Sequence, residues 1–162
     1  VPTKPFPWKC AGCRQRAVYP DTVDYATTLE HDGRSYDVRV PALEVPRCRH
    51  CGKLVMVDSA NRAVSDALRE AAGLLTPAQI RKNREELGLT QKQLAAHLGV
   101  ADATVSRWET GAQIQQRSLD RLLRLYFGAP GVRAALADEA AIARLGTTVV
   151  PAAASMVVTR TA

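Results

Sequence analysis

The sequence predicts an α+β protein: a small N-terminal β module over residues 1–57, a linker helix over 58–75, an all-α domain of five helices over 76–145, and a flexible tail over 146–162. Three observations carry that division. All four cysteines fall in two Cys-x-x-Cys pairs, Cys10/Cys13 and Cys48/Cys51, with 34 residues between the pairs. The stretch between them is rich in Val, Thr and Tyr and punctuated by Pro and Gly, whereas an Ala-rich composition at helical spacing begins at Asp58. Beyond that point two capping boxes, Thr76-Pro77-Ala78-Gln79 and Thr90-Gln91-Lys92-Gln93, open successive helices.

In the β module, residues 17–19, 22–29, 35–40 and 43–45 read as strands, separated by Pro20-Asp21, Asp32-Gly33 and Pro41. His31-Asp32-Gly33-Arg34 is a hairpin turn, because Asp-Gly accommodates the positive φ angles that tight turns require. A small antiparallel meander thus separates the cysteine pairs. It is too small to bury much core, so a bound metal must supply stability.

Each Cys-x-x-Cys turn aims two thiolates at one point about 2.3 Å away, and two such knuckles complete a tetrahedral four-sulfur shell for Zn²⁺. Cys10, Cys13, Cys48 and Cys51 are the expected ligands of one ion per chain. Sulfur fills every position, so the ion is structural and leaves no place for a substrate. A redox pair would need a single Cys-x-x-Cys opening a helix in a thioredoxin-like context, whereas here there are two and Gly52 follows the second. Disulfides suit a secreted chain, but no signal peptide is visible and cysteine is sparse. Four unrelated buried thiols are the remaining alternative. His50 could replace a sulfur, but it reads as an exposed knuckle residue.

Residues 59–74 form the expected linker helix, with Val64, Leu68 and Ala71/Ala72 at helical spacing. The five helices that follow run to about Leu87, stopped by Gly88; through Leu98, stopped by Gly99; over 102–110, stopped by Gly111; over 116–127, stopped by Gly128 and Pro130; and over 132–145. The second and third, joined by Gly99-Val100-Ala101, are the skeleton of a helix-turn-helix. Leu94, Ala95 and Leu98 supply one inner face, and Val105 and Trp108 the stripe opposite. On the third helix Asp102, Ala103, Ser106 and Arg107 form an outer face of short or hydrogen-bonding residues that can enter a major groove.

Residues 76–127, with Leu89-Thr90-Gln91-Lys92-Gln93-Leu94-Ala95 and Val105-Ser106-Arg107-Trp108-Glu109-Thr110-Gly111, closely resemble the Xre (Cro/C1-type) helix-turn-helix family. Joined to the two cysteine knuckles, the arrangement over about residues 8–128 resembles the MqsA-type antitoxins with a YgiT-type zinc finger. Val40-Pro41-Ala42-Leu43-Glu44-Val45-Pro46-Arg47-Cys48 and Leu75-Thr76-Pro77-Ala78-Gln79-Ile80-Arg81 are also typical of that group. The resemblance implies that Gln91 and Lys92 hold phosphate and that Asp102, Ala103, Ser106 and Arg107 face the groove, with Thr104 counted among the DNA-binding positions. Ala103 offers only an apolar contact and Asp102 is repelled by phosphate. Arg107, whose fork can grip guanine O6 and N7, is the expected reading residue. Trp108 and Glu109 serve packing and helix ending.

The net charge of the 162 residues is +6, with pI near 9.5. Residues 1–72 carry 11 basic and 9 acidic side chains (+2), and residues 73–162 carry 11 and 7 (+4), so the excess lies in the half expected to meet DNA. No run is long and apolar enough for a membrane span, and reduced cysteines fit the cytoplasm. The chain opens on Val1, which would suit a processed or alternatively initiated start. Asp21, Asp24, His31 and Asp32 read as solvated turn residues; with no nucleophile–base pair or glycine-rich phosphate loop, no enzyme is expected. The resemblance implies a homodimeric repressor on a palindromic operator, acting as an antitoxin whose N-terminal module clamps a ribonuclease-type toxin. The alternative is a stand-alone regulator whose zinc module binds another partner or a ligand.

Overall fold

The computed structural model describes residues 5–145; the expected tail over 146–162 lies outside them. The chain runs β1 (Trp8–Lys9), β2 (Arg16–Tyr19), β3 (Thr22–His31), β4 (Arg34–Glu44), β5 (Arg47–Cys48), α1 (Asp58–Ala72), α2 (Pro77–Glu86), α3 (Gln91–Leu98), α4 (Asp102–Thr110), α5 (Arg117–Gly128), α6 (Pro130–Ala137) and α7 (Glu139–Arg144). This is α+β architecture, with strands first and seven helices after them among the described residues.

The strands form two sheets rather than one meander. β1, β2 and β5 make a small antiparallel sheet at the knuckles, in which Val18 pairs with both Trp8 and Cys48. β3 and β4 make a separate long hairpin, in register from Thr22↔Glu44 to His31↔Arg34. Its turn is the expected one, with Asp32 at φ 49° and Gly33 at φ 68°. Residues 35–40 and 43–45, expected as two strands, belong to the single strand β4. Pro41 does not end it because Pro41 and Ala42 are accommodated as a bulge opposite Asp24, whose Oδ1 accepts the Ala42 N–H at 2.9 Å.

Helix α1 packs across β4, burying Leu43, Val45 and Ala60 with Val23, Tyr25, Val40, Val57 and Val64 around them. It stops at Ala72, two residues short of the expected end, because Gly73 takes φ 65° and turns its N–H back to Glu70. Both capping boxes form as expected, at Thr76/Gln79 and Thr90/Gln93. The expected fifth helix is two: the chain breaks at Asp138, whose carboxylate caps α7 through the N–H groups of Ala140 and Ala141. The helical core is Leu75, Ile80, Leu94, Ala95, Leu98, Val105, Trp108, Leu123 and Tyr126.

The α4–α5 loop is where the two halves meet. Arg69 of α1, only 1% exposed, donates to the carbonyls of Gly111 (3.3 Å) and Gln113 (3.4 Å) and to Asp66. Asp120, also buried, accepts from Leu75 N–H (2.7 Å), Gln115 Nε2 and Arg124 Nε. His31 is half-buried rather than solvated, and Asp32, exposed at the turn, is nonetheless engaged. His31 Nε2 donates to the Gln115 carbonyl at 3.1 Å, and the Asp32 carboxylate accepts the Arg117 N–H at the start of α5. The hairpin is long enough to carry its tip onto the helical half, which its sequence does not announce.

Candidate metal centre and nucleic-acid interface

The knuckles are built alike. In each, the residue after the second cysteine has positive φ and donates its N–H to the carbonyl of the first: Arg14 (φ 62°) to Cys10 at 2.9 Å, Gly52 (φ 75°) to Cys48 at 2.8 Å. That turn folds both cysteines of a pair toward one point. Gly12 lies between the knuckles, where a Cβ would meet Lys53 Cδ at 3.2 Å and the sulfurs of Cys10 and Cys51 at 3.7 and 3.8 Å. The four sulfurs lie within 4.8 Å of one another. Cys10 Sγ is 3.6 Å from Cys51 Sγ, and Cys13 Sγ is 3.6 Å from Cys48 Sγ. Four sulfurs 2.3 Å from a central ion form a tetrahedron with edges of about 3.8 Å, so the spacing fits a metal and is far too long for disulfides. All four cysteines are free. His50 is exposed and outside the group.

The electrostatics agree with an anionic donor set. The amides of Cys13 and Gly12 draw the Cys10 thiol down to about 6, and the amide of Cys51 lowers Cys48. At Cys13 the Gln15 amide also favours the thiolate, but burial and the other sulfurs outweigh it and push the thiol up to about 11. The neighbouring sulfurs thus favour the thiolate at Cys10 and Cys48 and oppose it at Cys13, so the group does not ionise fully by itself, and a cation at its centre would complete the ionisation.

In the helical half, Gly99 at φ 67° turns α3 into α4, and Ala95, fully buried, lets the two helices approach. Asp102, Ala103 and Arg107 are exposed on α4, Thr104 and Ser106 are half-buried, and Thr110 continues the outer face one turn on. The Arg107 guanidinium has no ion-pair or hydrogen-bond partner among the described residues. Lys92 is exposed in the first turn of α3. Gln91 is half-buried, and its side-chain amide donates to Glu109 Oε2 at 2.8 Å.

Glu109 does more than end a helix. Its carboxylate is wholly buried and accepts from Arg84 Nε (2.6 Å) and Nη2 (2.9 Å) as well as from Gln91, with Arg81 Nε 3.7 Å away. Burial pushes its pKa up, but Arg84, Gln91 and Arg81 together hold it below the ordinary value, and Arg84 is raised in turn by Glu109. This fork joins α2, α3 and α4, so it fixes the outer face of α4 relative to the start of α3. A signal was available: Glu109 stands four residues from Val105, on the inner stripe, and Arg84 four from buried Ile80.

Residues 80–130 match a helix-turn-helix family model, just under a third of the chain. No curated protein matches the chain. The helical half therefore carries a helix-turn-helix of the kind that binds DNA in transcription regulators, and the N-terminal half carries four cysteines that can hold a metal ion. None of the described helices is long and apolar enough to cross a membrane.

Proposed function

We propose that the protein is a zinc-stabilised transcriptional repressor that reads DNA through α4 and acts as a type II antitoxin. The observation that carries the DNA reading is the outer face of α4: Asp102, Ala103 and Arg107 are exposed, with Ser106 half-buried beside them, on a helix whose inner face is locked by Val105, Trp108 and Glu109. Arg107 reads a base edge, Lys92 anchors on phosphate, and Gln91 helps through the one amide N–H that Glu109 leaves it. Thr104, half-buried and following Ala103, lies beside the groove. The metal is one structural Zn²⁺ per chain on Cys10, Cys13, Cys48 and Cys51, supported by the donor set and the sulfur spacing.

The working unit is a homodimer on a palindromic operator in the cytoplasm, with the zinc module, residues 1–57, acting as the partner-binding half and residues 76–145 as the DNA-binding half. The chain binds and has no catalytic step of its own. The antitoxin role rests on the resemblance of the two-part arrangement, and places a ribonuclease-type toxin on the N-terminal half. Duplexes selected by the full chain from a random library should share a two-fold symmetric consensus. Selection of no consensus would overturn the repressor reading. Co-expression with the product of the adjacent gene should yield a complex that suppresses ribonuclease activity. If that product neither co-purifies nor cleaves RNA, the protein is a regulator without a toxin.

A further inference from the structure

We propose that the tip of the β3–β4 hairpin is a second DNA contact, a wing that sets Arg34 beside Arg117 on a backbone phosphate flanking the groove entered by α4. The inference rests on the DNA-binding reading of α4 and extends it to the N-terminal half.

The tip is held in place rather than hanging free. His31 and Asp32 retain 14% and 24% of their side-chain exposure, with His31 on the Gln115 carbonyl and Asp32 on the Arg117 N–H. The second contact answers a need of α5, whose N-cap residue Gln116 makes no side-chain cap bond. Asp32 supplies that acceptor from 85 residues away. The site of attachment adjoins the C-terminal end of α4: the loop between α4 and α5 folds back so that Gln113 N–H donates to the carbonyl of Arg107.

Charge then decides what the tip can do. Arg34 pairs directly with His31 across the hairpin, so it emerges on the face that meets α5, and it is exposed. Arg117 begins α5 and is half-exposed. Neither guanidinium has a hydrogen-bond or ion-pair partner among the described residues. The carboxylate on this tip, Asp32, is engaged by the Arg117 N–H and lies 3.6 Å from His31 Nε2. The docking of His31 and Asp32 thus brings two arginines without side-chain partners among the described residues to one edge of the helical half, and on a protein that inserts α4 into DNA the anion at hand is a backbone phosphate. Strands of ten and eleven residues span about 33 Å, which separates this tip from the knuckles at the other end of the hairpin.

The test is fluorescence anisotropy of the full chain on its selected duplex and on a scrambled one, over a salt series. One phosphate contact releases about 0.9 counterion and a dimer carries two copies of the wing, so Arg34→Ala should weaken both duplexes by about thirtyfold at roughly 0.15 M salt and flatten the salt slope by about two units. Its preference for the selected duplex, zinc content and helicity should be unchanged, and Arg34→Lys should restore most of the slope. Arg16→Ala, a matched loss of exposed charge near the knuckles, should leave the slope as it was. If Arg34→Ala binds like wild type while Arg107→Ala loses sequence preference, the wing is wrong and the helix-turn-helix reading stands. If the wild-type chain prefers no duplex, both fall together.

Discussion

Around the four sulfurs the buried apolar cluster is Cys10, Val18 and Cys48, and two of its three members are candidate ligands; around α2–α5 it is nine residues from Leu75 to Tyr126. A fully buried Leu, Ile or Val contributes about 1.5–3 kcal/mol, so one valine cannot offset the entropy of ordering two knuckles and three short strands. Under the zinc proposal, the knuckles fold because a metal closes them. The helical half folds because its apolar side chains pack together, and the buried Arg84–Glu109 fork sets the angle of α4 rather than supplying the core. Between them lies a third unit, the hairpin on α1, with an apolar core of its own around Leu43, Val45 and Ala60. The comparison teaches that loss of metal should unfold less than the whole β region.

The largest effect should come from the metal. A closed thiolate site is worth on the order of 10 kcal/mol to a small module. Cys48→Ser should abolish stoichiometric zinc and remove hydrogen-exchange protection from β1, β2 and β5. Protection in β4, α1 and the helical half should survive. Loss of protection throughout β4 as well would merge the first two units into one.

Second is the fork. Glu109→Ala leaves Arg84 buried without its partner and should cost about 3–5 kcal/mol, read as a lowered denaturation midpoint. The pH dependence has a definite sign. The folded-state pKa of Glu109 lies below its ordinary 4.5, so its contribution is complete above that value and disappears as the pH falls through the lowered one. Wild type should therefore lose helical stability on acidification below about pH 4.5. Glu109→Gln, already less stable at neutral pH, should lose less over the same interval, and parallel acid titrations of the two would remove Glu109 from the explanation.

Much of this was legible beforehand. The Cys-x-x-Cys spacing located the four cysteines that gather into one candidate metal site, and Thr76/Gln79 and Thr90/Gln93 located two helix starts to the residue, because both are local chemistry. What was not legible depends on contacts distant in the chain. Pro41 signals a break, and only its placement opposite Asp24 turns the break into a bulge. Asp32 signals a turn, and nothing local says that its carboxylate will cap a helix that starts at residue 117. Asp138 sits in an Ala-rich stretch with helical composition throughout, so the split between α6 and α7 had only one short polar residue to mark it.

The smallest effect concerns the likeness of the two knuckles. The second uses glycine where φ must be positive, and the first uses Arg14 at φ 62°. A side chain in that conformation costs about 1 kcal/mol, so Arg14→Gly should stabilise the zinc-bound knuckles by up to that amount. Slower zinc release to a chelator would show it. Unchanged or faster release would mean that the arginine side chain itself contributes to holding the knuckle.

The division of labour on the DNA face is tested most directly by binding of Arg107→Ala and Lys92→Ala to selected and scrambled duplexes over a salt series. If α4 reads sequence, Arg107→Ala should lose about 1–3 kcal/mol on the selected duplex, relax preference at one base pair per half-site, and change little on the scrambled one. Lys92→Ala should weaken both alike and flatten the salt dependence by about two counterions, one per protomer of the dimer. Equal weakening of both duplexes by Arg107→Ala would make Arg107 an anchor and contradict the assignment of α4 as the reading helix through that residue.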